Sequence, residues 1–151
     1  MLMDTNYIRD LLPFDHPYLF VDTITSVTQE NIVGSYTFKK DEFFYKGHFK
    51  DNPVTPGTIL TECCAQLALV CHGLFLSNAN SDMVKSRLFF LASSEMDFYS
   101  VVLPNEKVIV TAEKIYFRFG KLKSKVKMTK EDGTLVCKGV LSGMQKNTED
   151  G

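Results

Sequence analysis

One stretch of the sequence, residues 58–76, is apolar at helical spacing over roughly five turns, and it constrains the fold more than any other. Its most apolar side chains recur at intervals of four, three, four and three residues: Leu60, Cys64, Leu67, Cys71 and Leu74. That spacing places them on one stripe of an α-helix. Small residues fill several other positions, so the helix lacks a broad polar face. We expect a sheet to surround it.

Most of the remaining chain has the pattern of β-strands. A short helix is predicted at 6–12 and a polar loop at 77–82. Aromatic, β-branched or alternating residues predict strands at 18–27, 32–38, 87–92, 107–116, 121–128 and 135–144. One apolar helix with a mostly antiparallel sheet is an α+β fold, in which the sheet must curl around the helix. The length favours a single domain, 1–151.

The composition argues against several classes of function. The formal net charge of the 151 residues is −1, so general affinity for nucleic acid or anionic membranes is not indicated. The first residues lack the pattern of a secretory signal, and no run approaches the roughly 18 apolar residues of a membrane span. The cysteines have no paired ligand spacing and fit reduced thiols in a core. We therefore expect a cytoplasmic protein without membrane insertion.

A histidine and a glutamate flank the start of the predicted helix. His48 follows Gly47 among several aromatic residues, which would favour a neutral imidazole that can accept a proton. A lone histidine is nevertheless more often structural. Glu62 lies one turn into the apolar helix, where burial would favour a protonated carboxyl that can donate. The helix dipole alone would also favour a glutamate there. Gln66, four residues on, could orient the carboxyl.

The loop between them ends in a Pro-Gly helix entry. The backbone N–H groups of Gly57 and Thr58 are unpaired donors at a helix start, and they could bind an oxygen that becomes negative during a reaction. Base, donors and acid together fit removal of a proton beside a thioester carbonyl. His48 would take the Cα proton, Gly57 would stabilise the enolate-like charge, and Glu62 would protonate the departing β-hydroxyl. An ordinary Pro-Gly helix entry remains the alternative.

The motif Gly-His-Phe, then Pro-x-x-Pro-Gly, then Glu-x-x-Ala-Gln resembles the signature of the 3-hydroxyacyl-[acyl-carrier-protein] dehydratases of type II fatty-acid synthesis. The resemblance covers nearly the whole chain and extends to 11–13, 17–22, 90–98 and Pro104. It implies the hotdog fold, a curved antiparallel sheet wrapped around one long central helix. It also implies dehydration of a (3R)-3-hydroxyacyl thioester on acyl carrier protein. The substrate would carry the phosphopantetheine, and the enzyme would need no cofactor and no metal.

The same resemblance implies a homodimer with shared active sites, in which His48 of one subunit meets Glu62 of the other. Dimers of this kind can also assemble into a higher oligomer. Glutamate at position 62, where an isomerising branch has aspartate, is similar to the dehydratase-only branch.

The sequence departs from the family pattern at a few places. Lys50-Asp51 stands for Pro-Gly, Phe14-Asp15 for His-Arg, Ser100-Val101 for a basic residue and proline, and Asn105 for glycine. The resulting pattern is similar to dehydratases of aryl-polyene or flexirubin-type pigment synthesis.

Two other functions fit the same fold. A hotdog acyl thioesterase would use Glu62 to activate water, although it would leave His48 without a task. A non-catalytic hotdog partner subunit would bind acyl chains or stabilise an active protein.

Alternating lysines on the predicted strand 121–128 form a basic face. We interpret it as a solvated strand edge, or else as a patch for an acidic carrier protein.

Overall fold

The computed structural model describes residues 4–147, and its centre is a six-stranded sheet. The strands are β1 (Thr23–Val27), β2 (Asn31–Thr37), β3 (Arg87–Phe98), β4 (Lys107–Arg118), β5 (Lys121–Lys130) and β6 (Leu135–Asn147). Their order across the sheet is β1-β2-β4-β5-β6-β3, and every neighbouring pair is antiparallel. The sheet therefore ends at β1 on one side and at β3 on the other.

A long helix, α2 (Gly57–Leu76), lies against this sheet. It is an α-helix over Gly57–Ala65, widens to a π-helical turn over Gln66–Cys71, and closes again as an α-helix over His72–Leu76. The wide turn contacts β2, β3, β4, β5 and β6, so the sheet curves around it. Bulges in the strand pairing increase that curvature. The predicted α+β fold with one wrapped helix is confirmed.

The apolar character of α2 reflects burial in the core. The helix has 20 residues, its most apolar 18-residue window has a mean hydropathy of 1.7, and 83% of that window is buried. The expectation that no segment approaches the length of a membrane span was therefore wrong. A helix that is largely enclosed carries apolar residues around most of its circumference, because little of it meets water.

The predicted strand at 18–27 begins only at Thr23. The Phe20 N–H donates to Gln66 Oε1 at 2.8 Å, and the Tyr18 carbonyl accepts from Gln66 Nε2 at 2.9 Å. These backbone groups are used by a side chain of α2 and are not free for a neighbouring strand. A pattern of β-favouring residues cannot reveal such a bond from a residue far along the chain.

The polar stretch 77–82, predicted as a loop, contains the start of a helix. Helix α3 (Ser81–Ser86) begins after Asn80, whose Oδ1 accepts from the Met83 N–H at 2.9 Å. Asparagine at this position caps a helix, and the sequence prediction missed it. At the other end of the chain, α1 (Thr5–Leu11) lies close to its predicted bounds.

The basic face lies on β5, which is an internal strand of the sheet and not an edge strand. Leu122, Ser124, Val126 and Met128 are buried between the lysines, which confirms the alternation. However, β5 pairs with both β4 and β6. The interpretation as a strand edge was wrong, because a two-residue alternation reports one buried face and not an unpaired neighbour.

All four cysteines are free and buried, which confirms the prediction that they act as small core residues. Burial raises the pKa of the Cys63 and Cys71 thiols well above the ordinary value. A thiol that stays protonated is a poor nucleophile.

Candidate active site

The loop that leads into α2 is fixed to the core. The Thr55 N–H donates to the Val102 carbonyl at 2.9 Å, and the hydroxyl oxygens of Thr55 and Tyr45 lie 2.6 Å apart. Burial raises the pKa of Tyr45 to about 12, so the phenol keeps its proton and can donate it to Thr55. Sequence reasoning gave neither residue a role, since Thr55 is a variable position of the Pro-x-x-Pro-Gly motif and Tyr45 precedes the Gly-His-Phe motif.

Beside His48 the chain makes a tight turn. Phe49 and Asn52 exchange two N–H···O=C bonds of 2.9 Å, and Asp51 between them has a φ of 60°. That left-handed conformation favours glycine. Asp51 stands where the family pattern has glycine, and Asn105, the other such replacement, has a φ of 70°. Both residue types tolerate this region better than most, so the turns persist without glycine.

The imidazole of His48 has a defined orientation. Its Nδ1 lies 2.8 Å from the Val54 carbonyl oxygen, and its ring stacks on Phe49 at 3.9 Å between centroids. A carbonyl oxygen can only accept, so Nδ1 carries the hydrogen. In the neutral ring the lone pair then belongs to Nε2, which is the atom that can accept a proton.

The carboxyl of Glu62 is held by Gln66. The Gln66 side chain is buried, its Oε1 accepts from the Phe20 N–H, and its Nε2 donates to the Tyr18 carbonyl. The amide orientation is therefore set by the backbone, and Nε2 also donates to Glu62 Oε2 at 3.0 Å. Because Oε2 accepts this bond, a proton on the carboxyl belongs on Oε1.

Burial shifts the protonation of Glu62. Removal from water raises the pKa of its carboxyl, and the hydrogen bond from Gln66 partly offsets the rise. The negative charge of Glu62 in turn adds to the effect of burial in raising the pKa of Tyr18. A carboxyl in such a site is more often protonated near neutral pH than an exposed one.

Glu62 lies at a cavity of about 310 Å³ between α2 and β3. The other lining residues are mostly apolar: Pro13, Phe14, Tyr18, Ala65, Gln66, Leu69, Val70, Leu88, Phe89, Phe90 and Leu91. Phe14, which replaces a histidine of the family pattern, is one of them. The cavity can therefore take an apolar chain next to a single carboxyl.

Gly57 and Thr58 are the first residues of α2, after Pro56 as N-cap. Pro56 supplies no side-chain cap, so these N–H groups have no such acceptor among the described residues. The ring of Phe98, at the end of β3, would lie 3.4 Å from a Cβ on Gly57. The helix start thus meets an apolar ring, and its free N–H groups form the positive end of the helix dipole.

Within one chain the predicted site residues fall into two groups. Glu62 and Gln66 share the cavity, whereas His48, Gly57 and Thr58 are not among its lining residues. Phe14 and Tyr18 are cavity residues that sequence reasoning did not assign to the site. The position of Tyr18 depends on the bond that its carbonyl accepts from Gln66, for which the sequence carries no signal.

Comparison with known proteins identifies the family. A FabA-like domain matches residues 12–141. The chain is 33% identical over 142 residues to the 3-hydroxyacyl-[acyl-carrier-protein] dehydratase FabZ of Streptococcus sanguinis, covering 93% of this chain and 96% of that protein. It is 30% identical over 143 residues to FabZ of Clostridium perfringens, covering 91% and 95%.

Solved structures share the fold at lower sequence identity. The dehydratase heterocomplex ApeI:P from Xenorhabdus doucetiae has a TM-score of 0.76 at 16% identity, with 94% of this chain and 92% of that chain covered. A thioesterase from Pseudomonas aeruginosa has a TM-score of 0.70 at 10% identity, with 97% and 96% covered. These similarities confirm the hotdog fold. The family match and the sequence relatives show that the chain belongs to the FabA-like family, the family of the FabZ dehydratases.

Proposed function

We propose that the chain dehydrates a (3R)-3-hydroxyacyl thioester on acyl carrier protein to the trans-2-enoyl thioester. The observation that carries the proposal is the Glu62 carboxyl, which is partly buried at an apolar cavity, has a raised pKa and is oriented by Gln66. Membership of the FabA-like family supports the reaction type.

In the proposed reaction, Nε2 of His48 takes the proton from Cα. Electron density moves onto the thioester oxygen, where the N–H groups of Gly57 and Thr58 stabilise it. The Cα–Cβ double bond then forms as the Cβ–O bond breaks, and Glu62 Oε1 gives its proton to the departing hydroxyl, which leaves as water. Proton exchange with solvent resets both residues. The reaction consumes no redox equivalent. The prosthetic group it needs is the phosphopantetheine that carries the acyl group of the substrate.

The proposal includes a homodimer with shared sites. Strand β3 pairs with β6 alone among the described strands, and apolar side chains along and just after it, such as Phe90, Phe98, Tyr99 and Val101, are about half exposed. A long apolar edge of this kind is a template for strand pairing. Pairing through β3 would bring a second chain to the Phe98–Gly57 contact, and so towards His48.

We also propose that the acyl group is a conjugated or aromatic chain of a pigment pathway, in a cytoplasmic enzyme. Support comes from the aromatic lining of the cavity by Phe14, Tyr18, Phe89 and Phe90, because planar groups pack well on aromatic rings. A conjugated 3-hydroxyacyl thioester should then have a lower KM than a saturated one of equal length.

The assay is dehydration of a 3-hydroxyacyl carrier thioester, followed by enoyl absorbance and by release of free thiol. We expect enoyl product without thiol release. His48→Ala and Glu62→Gln should each lower kcat by about 10²-fold or more. Thiol release without enoyl product would support a thioesterase, and wild-type turnover in both variants would exclude these residues as base and acid.

A further inference from the structure

The loop that carries His48 is closed at its base by two buried hydroxyl groups. Tyr45 lies in a short 3₁₀ turn, Phe43–Lys46, and Thr55 comes just before the Pro-Gly start of α2. Their side chains are 7% and 4% exposed, and their hydroxyl oxygens lie 2.6 Å apart. Between them, only His48 and Val54 are even partly buried. The loop therefore has little apolar packing of its own and depends on the contacts at its base.

One peptide group beside this hydroxyl pair orients the imidazole. The carbonyl of the Val54–Thr55 peptide accepts from Nδ1 of His48 at 2.8 Å, and the N–H of the same peptide donates to the Val102 carbonyl at 2.9 Å. A peptide group is planar, so a rotation that moves its N–H also moves its carbonyl. The direction of the His48 ring is thereby tied to the backbone of Thr55.

The same backbone leads directly to the proposed oxyanion donors. Gly57 follows Thr55 by two residues, and Pro56 lies between them with a φ of −60°. The proline ring fixes that φ, and it also restricts the preceding residue to extended conformations. A shift of Thr55 is therefore passed on to the Gly57 N–H. The base and the oxyanion donor share one point of attachment to the core.

Packing alone does not require hydroxyl groups at these two positions. Phenylalanine and valine have nearly the shapes of tyrosine and threonine, and they would fill the same space without polar atoms. Replacing both partners of a buried hydrogen bond by apolar groups of the same shape is often almost neutral for stability. A hydrogen bond adds direction, because it forms only within a narrow range of distance and angle. Its effect is therefore expected in the geometry of the loop.

We propose that Tyr45 and Thr55 are positioning residues for the dehydration, and that their hydroxyl pair sets the geometry of His48 and of the Gly57 N–H together. Neither residue lines the Glu62 cavity, so both act through the groups that they hold. The inference rests on the proposed function, which makes His48 the base. A misplacement of about 1 Å at a reacting group can lower the rate by about 10²-fold.

Paired substitutions separate positioning from stability. Tyr45→Phe and Thr55→Val each leave one buried hydroxyl without its partner, and we expect each to lower Tm and to lower kcat about tenfold, with KM within about twofold. The double variant should regain most of the lost Tm but none of the lost kcat, because the packing is restored and the bond is not. Thr55→Ser keeps the hydroxyl and should retain kcat within about twofold.

Ser142→Ala is the matched control. The hydroxyl oxygens of Ser93 and Ser142 are also 2.6 Å apart, and Ser142 is 1% exposed, but this pair joins β3 to β6 away from the loop. The control should lower Tm and leave kcat within about twofold of the unaltered protein. A loss of kcat as large as that of Tyr45→Phe would overturn the proposal, because any buried hydroxyl pair would then affect turnover.

Nitrogen-15 NMR of histidine-labelled protein observes the positioning without turnover. The His48 signals are those lost in His48→Ala. At about pH 9, where imidazoles are neutral, the unaltered protein should hold the Nδ1–H tautomer, and the double variant should show a larger share of Nε2–H. An unchanged tautomer ratio overturns the positioning proposal, and so does a double variant that recovers kcat together with Tm. A changed ratio without turnover of a 3-hydroxyacyl thioester by the unaltered protein leaves the orientation of His48 intact and overturns the dehydratase proposal.

Discussion

At the scale of single residues, the buried His72 links stability to pH. Its Nε2 lies 2.9 Å from the Thr28 carbonyl, to which it must donate, and its Nδ1 has no partner among the described residues. Burial has the largest effect and lowers the pKa of the ring. The hydrogen bond to Thr28 opposes it, and the smaller effects of Lys114 and Glu30 lower and raise the pKa respectively. The folded protein therefore keeps His72 neutral at a pH where the unfolded chain has already bound a proton.

The free energy of unfolding should fall as the pH is lowered below about 6.5, the ordinary pKa of histidine, towards the lower folded value. His72→Gln, which retains a donor to Thr28, should remove roughly 1 kcal/mol of that loss between pH 7.5 and 5.5. Urea unfolding of both proteins at the two pH values measures the difference. Equal pH dependence in the two proteins would show that other groups are responsible.

In the proposed reaction, Gln66 acts through Glu62 as a positioning residue. Its amide donates to the carboxyl and so lowers the carboxyl pKa against the larger effect of burial. Gln66→Leu should raise the Glu62 pKa further, so that the acid keeps its proton to higher pH. We expect the alkaline limb of the kcat/KM profile to move to higher pH, with kcat reduced. Gln66→Glu is the comparison, since it retains an acceptor for the Phe20 N–H.

The same substitution should also affect stability. Gln66→Leu leaves the Phe20 N–H and the Tyr18 carbonyl without their partner. The cost is about 1–3 kcal/mol for the buried Phe20 N–H and less for Tyr18, which is 42% exposed. Chemical denaturation separates this loss from the pH effect. A lower stability with an unchanged pH profile of kcat/KM would show that Gln66 has only a structural role.

At the scale of elements, the packing of α2 against β3 depends on one missing side chain. An added Cβ on Gly73 would lie 2.4 Å from Cζ of Phe89. We expect Gly73→Ala to destabilise the protein by about 1–3 kcal/mol through overpacking. Phe89→Leu should recover part of this loss in the double variant, because it frees the space that the methyl group needs. If the two substitutions had additive effects on thermal unfolding, direct contact between residues 73 and 89 would be contradicted.

The elements themselves were largely predictable, because their patterns report local burial. The alternation over 121–128 predicted a strand, and the stripe from Leu60 to Leu74 predicted the core helix. The strand predicted at 18–27 is confirmed only from Thr23 on, because Gln66 binds the backbone of residues 18 and 20 from a distant part of the chain. The prediction that β5 lies at the edge of the sheet was wrong for a similar reason. A two-residue period does not show which distant strands pair with it.

At the scale of the whole molecule, the proposed shared site makes a quantitative prediction. His48→Ala and Glu62→Gln chains, each inactive alone, should regain activity when they are mixed and allowed to exchange subunits. Half of the dimers would be mixed, and one of the two sites in each would be complete, giving about a quarter of wild-type activity. Sites made within one chain would give no recovery. Light scattering on the same samples checks that both variants remain dimers.

The candidate site was predictable as a set of residue types, and only in part as a geometry. His48, Glu62 and Gln66 follow from the motif, and the Glu62–Gln66 bond follows from their spacing on a helix. The bond from His48 Nδ1 to Val54 and the cavity roles of Phe14 and Tyr18 required coordinates. These depend on how the loop and the 18–20 segment fold back on α2, which no local pattern encodes.

The wide turn of α2 over Gln66–Cys71 has a consequence for insertions and deletions. A π-helical turn holds one residue more than the α-helical turn it replaces. A chain that loses one residue between 66 and 71 can close this turn to α geometry, with Glu62 and Gly73 still in place. A deletion elsewhere in the helix would rotate one end against the other by about 100°. The gene can therefore vary in length at this turn of the core helix without separating the acid from its cavity.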